Sequence, residues 1–307
     1  MAHDAPVIAL VGATATGKSS VGLALAHALD GEIINADAMQ FYRGMDIGTA
    51  KLAPAEREGV PHHQLDTLEV SEDASVASFQ TAARADIDAI HARGHRAIMV
   101  GGSGLYVRAV LDDFEFPGTD PEVRSRLEAR AESEGVGILF RELHDKDPQA
   151  AAKMTPQNTK RIVRALEVIE LTGQPYSASL PRREYRRAAV QLGLRLDYAQ
   201  LDPRIDQRVE QMWADGLVEE VRDLDSHGLR QGVTAQRAVG YAENLRHLDG
   251  EFDEQRTREL IAQHTRRLAR RQHRWFGPDE RVHWIEAPAD HEDVARATRD
   301  ALATLEA

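Results

Sequence analysis

The chain contains no cysteine among its 307 residues. Disulfides, a thiolate nucleophile and any cysteine-ligated metal centre are therefore excluded. It also lacks an uninterrupted apolar run of the length a transmembrane helix needs. The first apolar stretch, Val7-Ile8-Ala9-Leu10-Val11, is short and is not laid out as a secretory signal. A soluble, cytoplasmic protein without membrane partners is the expectation. Lysine is nearly missing too, occurring only at 18, 51, 146, 153 and 160, so almost all of the positive charge is arginine. Arginine's planar fork suits phosphate, although genome composition produces the same bias. Basic residues number 38 against 50 acidic ones, a net charge of −12. As a sum that opposes a nucleic-acid partner, but the distribution of charge matters more than its total. Repeats and low-complexity tracts are absent. A chain of this length can bury a large core unaided, as two domains or as one domain carrying an insertion.

What is present starts with Gly12-Ala13-Thr14-Ala15-Thr16-Gly17-Lys18-Ser19, which fits G-x-x-x-x-G-K-[ST]. At average residue frequencies the pattern arises by chance in about one chain in a hundred of this length. Context narrows that further. The β-branched run Val7–Val11 precedes it, and Val21, Leu25, Ala28 and Leu29 follow at helical spacing. In such a loop backbone N–H groups and the helix N-terminus surround an anion, as in nucleotide-binding proteins. Lys18 would reach terminal phosphate oxygens, and the Ser19 hydroxyl would ligate Mg²⁺.

Five strands are predicted: Val7–Val11, Glu32–Asn35, Arg96–Val100, Val190–Leu196 and Val282–Ile285. With helical patterns between them they predict an α/β fold with a P-loop core and a mostly parallel sheet. The alternation Val190, Leu192, Leu194, Leu196 suggests a half-exposed strand near a sheet edge. Residues 116–188 read as a helical insertion, leaving 1–115 and 189–307 as the core with C-terminal helices. Within the insertion, Asp120-Pro121-Glu122 and Thr155-Pro156 read as helix starts, and Gly173-Gln174-Pro175 as a stop. Asp202-Pro203 predicts a further helix start, with Ile205, Val209 and Met212 on one face.

Chemistry-bearing residues follow the strands. Asp37 sits just beyond the second strand, where an open parallel sheet gathers its ligand. It could act as general base or hold a metal through water, or merely cap a turn. The third strand ends in Gly101-Gly102-Ser103-Gly104 without the acidic residue of a P-loop motor. Glycines there let backbone approach a ligand, with Ser103 as a hydroxyl donor. His62 and His63 lack a third ligand at recognisable spacing, so a loop role is expected rather than a metal. Gln157 and Arg161 share a helix face with Lys160 and Arg164 beside them, and Arg182-Arg183 and Arg186-Arg187 add basic density. From Thr265 to Phe276, Leu268, Gln272 and Trp275 should turn inward while most arginines turn out. That stripe reads either as a phosphodiester-binding face or as a solvated face paired with acids.

The P-loop, together with the run Asn35-Ala36-Asp37-Ala38-Met39-Gln40-Phe41-Tyr42-Arg43-Gly44-Met45-Asp46-Ile47-Gly48-Thr49-Ala50-Lys51, resembles the bacterial tRNA dimethylallyltransferase family. Val60-Pro61-His62-His63, Gly101–Tyr106, Val239-Gly240-Tyr241 and Thr265-Arg266 through Arg270-Arg271-Gln272 match in the same order. The resemblance runs from residue 7 to about 276. It implies transfer of a dimethylallyl group from its diphosphate to the exocyclic amine of the adenosine 3′ of the anticodon, in tRNAs reading codons beginning with U. The P-loop residues Gly12 to Ser19 would then cradle the prenyl donor's diphosphate, with Mg²⁺ on Ser19 as cofactor. Asp37 would orient the amine and take its proton, Ser103 would hold a bridging oxygen, and Arg204 or Arg208 would touch the diphosphate. Asp37, Ala38, Met39, Gln40 and Ser103 would meet the flipped base. Arg124, Gln157, Asn158, Thr159, Lys160, Arg161, Gln236, Arg237, Gly240 and Tyr241 would hold the anticodon stem-loop. A monomer is implied. Two departures stand out: Ala38 replaces a commoner serine and loses one hydroxyl contact, whereas Ser103 replaces threonine and keeps its hydroxyl. The rival readings are a dimethylallyltransferase acting on free adenylate, a P-loop small-molecule kinase using ATP, and a non-catalytic RNA-binding protein.

Overall fold

The computed structural model describes residues 5–113, 116–179 and 183–306. Arg182, read above as part of a basic cluster, lies outside the described residues. The chain forms two compact units. One runs to Leu111 and resumes at Arg187; the other is the intervening segment from Asp112 to Arg186.

The first unit is built on a six-stranded, wholly parallel sheet. Its strands are β1 (Val7–Gly12), β2 (Gly31–Asn35), β3 (His62–His63), β4 (Arg96–Gly101), β5 (Ala189–Arg195) and β6 (Val282–Glu286), ordered β3-β2-β4-β1-β5-β6. This is the P-loop α/β arrangement. In register, Leu10 of β1 faces Val100 of β4 on one side and Leu192 of β5 on the other. Every residue of β1 is buried. β5 lies near the sheet edge, next to the outermost strand β6, but its second face is not exposed, Gln191 being 2% exposed. Its small residue Gly193 instead lies under the ring of Trp284 on β6.

Before the excursion come α1 (Lys18–Leu29), α2 (Val76–Ala92) and α3 (Gly104–Leu111). The second unit holds α4 (Pro121–Ser133), α5 (Val136–Lys146), α6 (Pro148–Ala151) and α7 (Thr159–Thr172). After the return come α8 (Tyr198–Ala214), α9 (Leu217–Ser226), α10 (Tyr241–Leu248), α11 (Glu254–Phe276) and α12 (Val294–Glu306). Ile8, Leu10, Ile98, Leu192 and Leu194 of the sheet pack with Val21 and Leu25 of α1 and Ala297 and Ala301 of α12. Each fully buried side chain of Leu or Ile size contributes roughly 1.5–3 kcal/mol. A second core gathers Tyr42, Met45, Val209, Leu217, Val221, Tyr241 and Ile261, and so fixes α8 to α11 around the segment after β2.

Two helix starts differ from the sequence expectation. Helix α8 begins at Tyr198, with Pro203 inside it rather than at its first turn. Asp197 supplies the opening carbonyl, accepting from Gln200 and Leu201 N–H at 3.0 and 2.8 Å. Helix α7 begins at Thr159 because the Asn158 side chain caps the Arg161 amide at 3.3 Å, while Thr155 and Pro156 belong to the turn before it. Asp120 does cap α4, accepting from Glu122 and Val123 N–H, and Gly173 closes α7 in the left-handed region. In the second unit, Leu127, Leu139, Leu143, Ile162 and Leu166 form the core.

Candidate transfer site

The loop after β1 and the loop after β4 are joined by one side chain from α11. Gln272 is 8% exposed. Its Oε1 accepts from the Thr14 amide at 2.9 Å, and its Nε2 donates to the Gly102 carbonyl at 3.2 Å. A Cβ at Gly102 would stand 2.2 Å from that Nε2, so only glycine lets the two approach. Thr16 Oγ1 donates to the Ala13 carbonyl at 2.8 Å, and Lys18 Nζ donates to the same oxygen at 2.5 Å. The first amides of α1 have no intrahelical acceptor and remain for an anion. Burial pushes the Lys18 ammonium down to about 8; Asp37 opposes this shift and Arg208 adds to it.

The loop after β2 is locked by its own side chains. Asn35 Oδ1 accepts from the Asp37 amide at 2.9 Å, and Asn35 Nδ2 donates to the carbonyls of Asp37 and Gln64. Asp37 Oδ1 caps the following 3₁₀ turn, Ala38–Phe41, by accepting from Met39 N–H at 3.1 Å. Phe41 stacks on Phe79 of α2 with ring centroids 5.0 Å apart, and Tyr106 of α3 completes the cluster. The Ser103 hydroxyl accepts from the Ala38 amide at 3.1 Å, and its amide donates to the Ala36 carbonyl. The Ser103 hydroxyl proton has no acceptor among the described residues, and Ser103 lines neither of the two pockets below. The capping role weighed for Asp37 is thus real, but it occupies one carboxylate oxygen only.

Two pockets meet along these loops and share Thr14, Asp37, Thr49 and Arg208. The first is polar and adds Lys18, Ser19, Asn35 and Gln40. The second is walled by Met39, Ile205, Val209, Met212, Ile261 and Leu268. The apolar stripe of α8 faces this second pocket, so Ile205 and Met212 belong to it. Arg208 makes no hydrogen bond or ion pair among the described residues, and burial lowers its pKa despite the nearby Asp37 charge. Arg204, four residues earlier, is employed elsewhere: its Nη2 donates to the carbonyls of Pro288 and Ala289 at 2.9 and 2.5 Å. Of the two candidate arginines, Arg208 is therefore the one with free donors in both pockets. Thr49 joins the site without having been singled out; only its place in the Asp37–Lys51 run pointed to it. Gln40 Nε2 donates to the Thr49 carbonyl at 3.2 Å, so Gln40 supports the wall as well as lining the polar pocket.

Other candidates are distributed as follows. Gly240 lines the apolar pocket, whereas Tyr241 is fully buried and donates its hydroxyl to Glu220, so it offers no surface to a macromolecule. Ala38 is also buried. Arg237 is exposed, and Gln236 donates to the Arg230 carbonyl. In the second unit Lys160 and Arg161 are exposed on α7, Gln157 is exposed just before it, and Thr159 opens it. Arg124 is held by the fully buried Glu167, which also accepts from Arg164 and the Asp120 amide. On α11 both readings of the arginine stripe apply, to different faces. Arg258 and Arg270 pair with Glu210 and Asp202 of α8 at 2.7 Å, and Arg266 pairs with Asp206. Arg267, Arg271 and Arg274 are exposed and have no such partner among the described residues. Trp275 does not turn inward: it is 43% exposed, with one edge over Gly104. His62 Nδ1 engages the Val60 carbonyl at 2.8 Å, and His63 pairs with Glu32 at 2.6 Å. No cluster of three metal-ligating His, Cys, Asp or Glu residues occurs among the described residues.

Sheet order, glycine loop and anion-binding helix terminus define a P-loop protein of the phosphate-binding α/β class. A family profile described as IPP transferase matches residues 40–279. A tRNA dimethylallyltransferase from Kineococcus radiotolerans is 58% identical, covering 97% of each chain. The full-length tRNA isopentenylpyrophosphate transferase of Bacillus halodurans superposes with a TM-score of 0.71 at 38% identity, covering 98% of this chain and 97% of that one. A eukaryotic dimethylallyltransferase acting on tRNA gives a TM-score of 0.82 at 28% identity, over 92% of this chain and 74% of that one. The chain belongs to the IPP transferase family.

Proposed function

We propose that this chain is a tRNA dimethylallyltransferase. It moves a dimethylallyl group from dimethylallyl diphosphate to the exocyclic amine of the adenosine 3′-adjacent to the anticodon, in tRNAs reading codons beginning with U. The observation that carries this reading is the junction of a polar phosphate cradle with an apolar pocket, with Asp37 and the unpaired Arg208 common to both. A phosphate ester with a short apolar chain suits that junction.

In the reaction, the P-loop amides, Lys18 and Arg208 hold the diphosphate and stabilise its charge as it departs. The adenine nitrogen forms a bond to the first carbon of the prenyl chain, the carbon–oxygen bond breaks, and diphosphate leaves with the electron pair. Asp37 accepts the proton released by the amine. Ser103 holds the bridging oxygen by donating a hydrogen bond from its hydroxyl and keeps its proton. The apolar walls seat the dimethylallyl chain and keep water from the reacting carbon. The base reaches them by leaving its stack, which costs a few kcal/mol and less in a loop than in a duplex.

The cradle also fits Mg²⁺. Ser19 offers a hydroxyl in the polar pocket and no acidic cage occurs among the described residues, which suits an ion kept mainly by substrate oxygens and water. When bound there, Mg²⁺ supplies further neutralisation of the diphosphate. For the RNA, Gln157, Asn158, Thr159, Lys160 and Arg161 of the second unit and Gln236 and Arg237 of the first are the proposed contacts, through phosphates and an unstacked loop. Among the described residues no helix is long and apolar enough to cross a membrane. A monomer working in the cytoplasm is part of the same reading.

β4 ends in Gly101 without the acid of a nucleotide-hydrolysing P-loop motor, which counts against an ATP-driven switch. The kinase rival would show itself by turnover of γ-phosphate onto an acceptor. The free-adenylate rival leaves the exposed Lys160 and Arg161 without purpose. Incubation with Mg²⁺, labelled dimethylallyl diphosphate and unmodified tRNA, followed by nucleoside analysis, separates them. Label on the adenosine beside the anticodon is expected. Label on AMP alone would identify the free-nucleotide enzyme.

A further inference from the structure

Glu220, in the first turn of α9, binds three backbone amides and one side-chain hydroxyl. Its Oε2 accepts from the amides of Asp46 and Ile47 at 3.1 and 2.7 Å. Its Oε1 accepts from the Gly48 amide at 3.2 Å and from the Tyr241 hydroxyl at 2.6 Å. Three consecutive backbone donors and a fully buried phenol thus converge on one carboxylate. A Cβ on Gly48 would stand 2.5 Å from the Tyr241 ring, so the segment is pressed against the tyrosine that shares its anchor. Burial and the Glu220 charge both hold the Tyr241 phenol protonated, far above its usual range.

The far side of this segment is pinned independently. Buried Lys51 donates to the Tyr42 carbonyl at 2.8 Å and pairs with Asp46 and Asp66 at 2.6 Å. Lys51 thus offsets part of the charge of Asp46 and Asp66 together. Thr49 Oγ1 donates to the Met45 carbonyl at 2.6 Å. Between these anchors, Gly48 and Thr49 form a wall of the apolar pocket, and Thr49 borders the polar one too.

We propose that Glu220 is a positioning residue for prenyl transfer, acting through the Gly48–Thr49 backbone that walls the meeting point of donor and base. The proposal rests on the transferase reading above. It separates two demands on the site. The diphosphate is bound by the P-loop, Lys18 and Arg208, none of which touches Glu220. The wall governs how the reacting carbon and the amine line up. A shift of about 1 Å there can slow transfer a hundredfold without loosening the phosphates.

Glu220→Gln places an NH₂ group against backbone N–H donors and removes the charge, with little change in volume. In full-length enzyme with tRNA substrate, kcat should fall about tenfold or more while KM for dimethylallyl diphosphate stays within about threefold. Gly48→Ala moves the same wall with Glu220 intact and should show the same split. Tyr241→Phe, which removes one of the four bonds, should fall between wild type and Glu220→Gln. Pyrophosphate titration of each variant counts folded sites, so unfolded protein does not pass for slow chemistry. Unchanged kcat in Glu220→Gln, or a kcat loss equal to the loss of titratable sites, would overturn the proposal. Failure of the wild type to transfer label to tRNA overturns the transferase reading itself, and shows before any variant is compared.

Discussion

Gln272 Oε1 lies 2.9 Å from the Thr14 amide, so a P-loop N–H is bound to a helix that lies far along the chain. Since Gln272 also bonds Gly102, α11 sets the spacing between the two loops that carry Lys18 and Ser103. Gln272→Leu would leave the Thr14 amide and the Gly102 carbonyl without partners. The expected loss is about 1–3 kcal/mol for the buried Gly102 carbonyl and less for the Thr14 amide, which borders the open pockets, with a melting temperature lower by roughly 2–4 °C per kcal/mol. Affinity for the prenyl donor should fall with it, measured by calorimetry. Full donor affinity in a destabilised Gln272→Leu protein would separate α11 from the cradle.

Asp37→Asn keeps the size of the side chain and an oxygen to cap the Met39 amide, but not the basic carboxylate. Transfer should drop by about a hundredfold to ten-thousandfold, the usual contribution of a positioned general base. tRNA and donor binding should persist, as read by filter retention and calorimetry. Substantial turnover in this variant would remove Asp37 from the proton path.

Lys18 gives the site a pH dependence whose sign can be worked out. Its pKa falls from 10.5 to about 8, chiefly through burial. Only the protonated form attracts diphosphate, so donor affinity should weaken above pH 8, by up to about tenfold per pH unit. Stability runs the other way. Between about 8 and 10.5 the unfolded chain still holds the proton that the folded protein has released, so this group's contribution to the free protein's stability rises with pH. A KM for the donor that is flat from pH 7 to 9 would refute the assignment.

Arg161 and Arg124 should separate RNA binding from structure in the second unit. Arg161 is exposed and has no ion-pair partner among the described residues, so Arg161→Ala should weaken tRNA binding and reduce the salt slope by about one. Arg124 is tied to buried Glu167, and Arg124→Ala should mainly lower the melting temperature. An equal effect of the two on the salt slope would place Arg124 on the RNA face as well.

The central strands, the glycine loop and the placement of Asp37 beyond β2 were legible because each is a local pattern read against the sheet's geometry. The two-residue β3 was not, being too short to show periodicity. Pro203 looked like a helix start, but Asp197 supplies an earlier one. The ion pairs that occupy Arg258, Arg266 and Arg270 depend on acids of α8 some fifty residues or more away. The same holds for Glu220, whose three amide partners are more than 170 residues distant. Long-range polar anchors leave no periodic trace, and the choice of Arg208 over Arg204 rests on one of them, the hold that Arg204 keeps on Pro288.

The parallel sheet is assembled from both sides of a chain excursion. Val7 pairs with Ala189 and Leu10 with Leu192, whereas the β4 partners of β1 are already made by Gly101. During synthesis β1 therefore emerges with one edge bare, and that edge stays open until all of α4 to α7 has been produced. Closing so long a loop is entropically slow, and an unpaired apolar strand invites misassociation. The excursion folds around its own core of Leu127, Leu139 and Ile162, so it can become compact while the edge waits. Biogenesis of the P-loop thus depends on the last strands to leave the ribosome, and a truncation before β5 would strand the glycine loop on a half-built sheet.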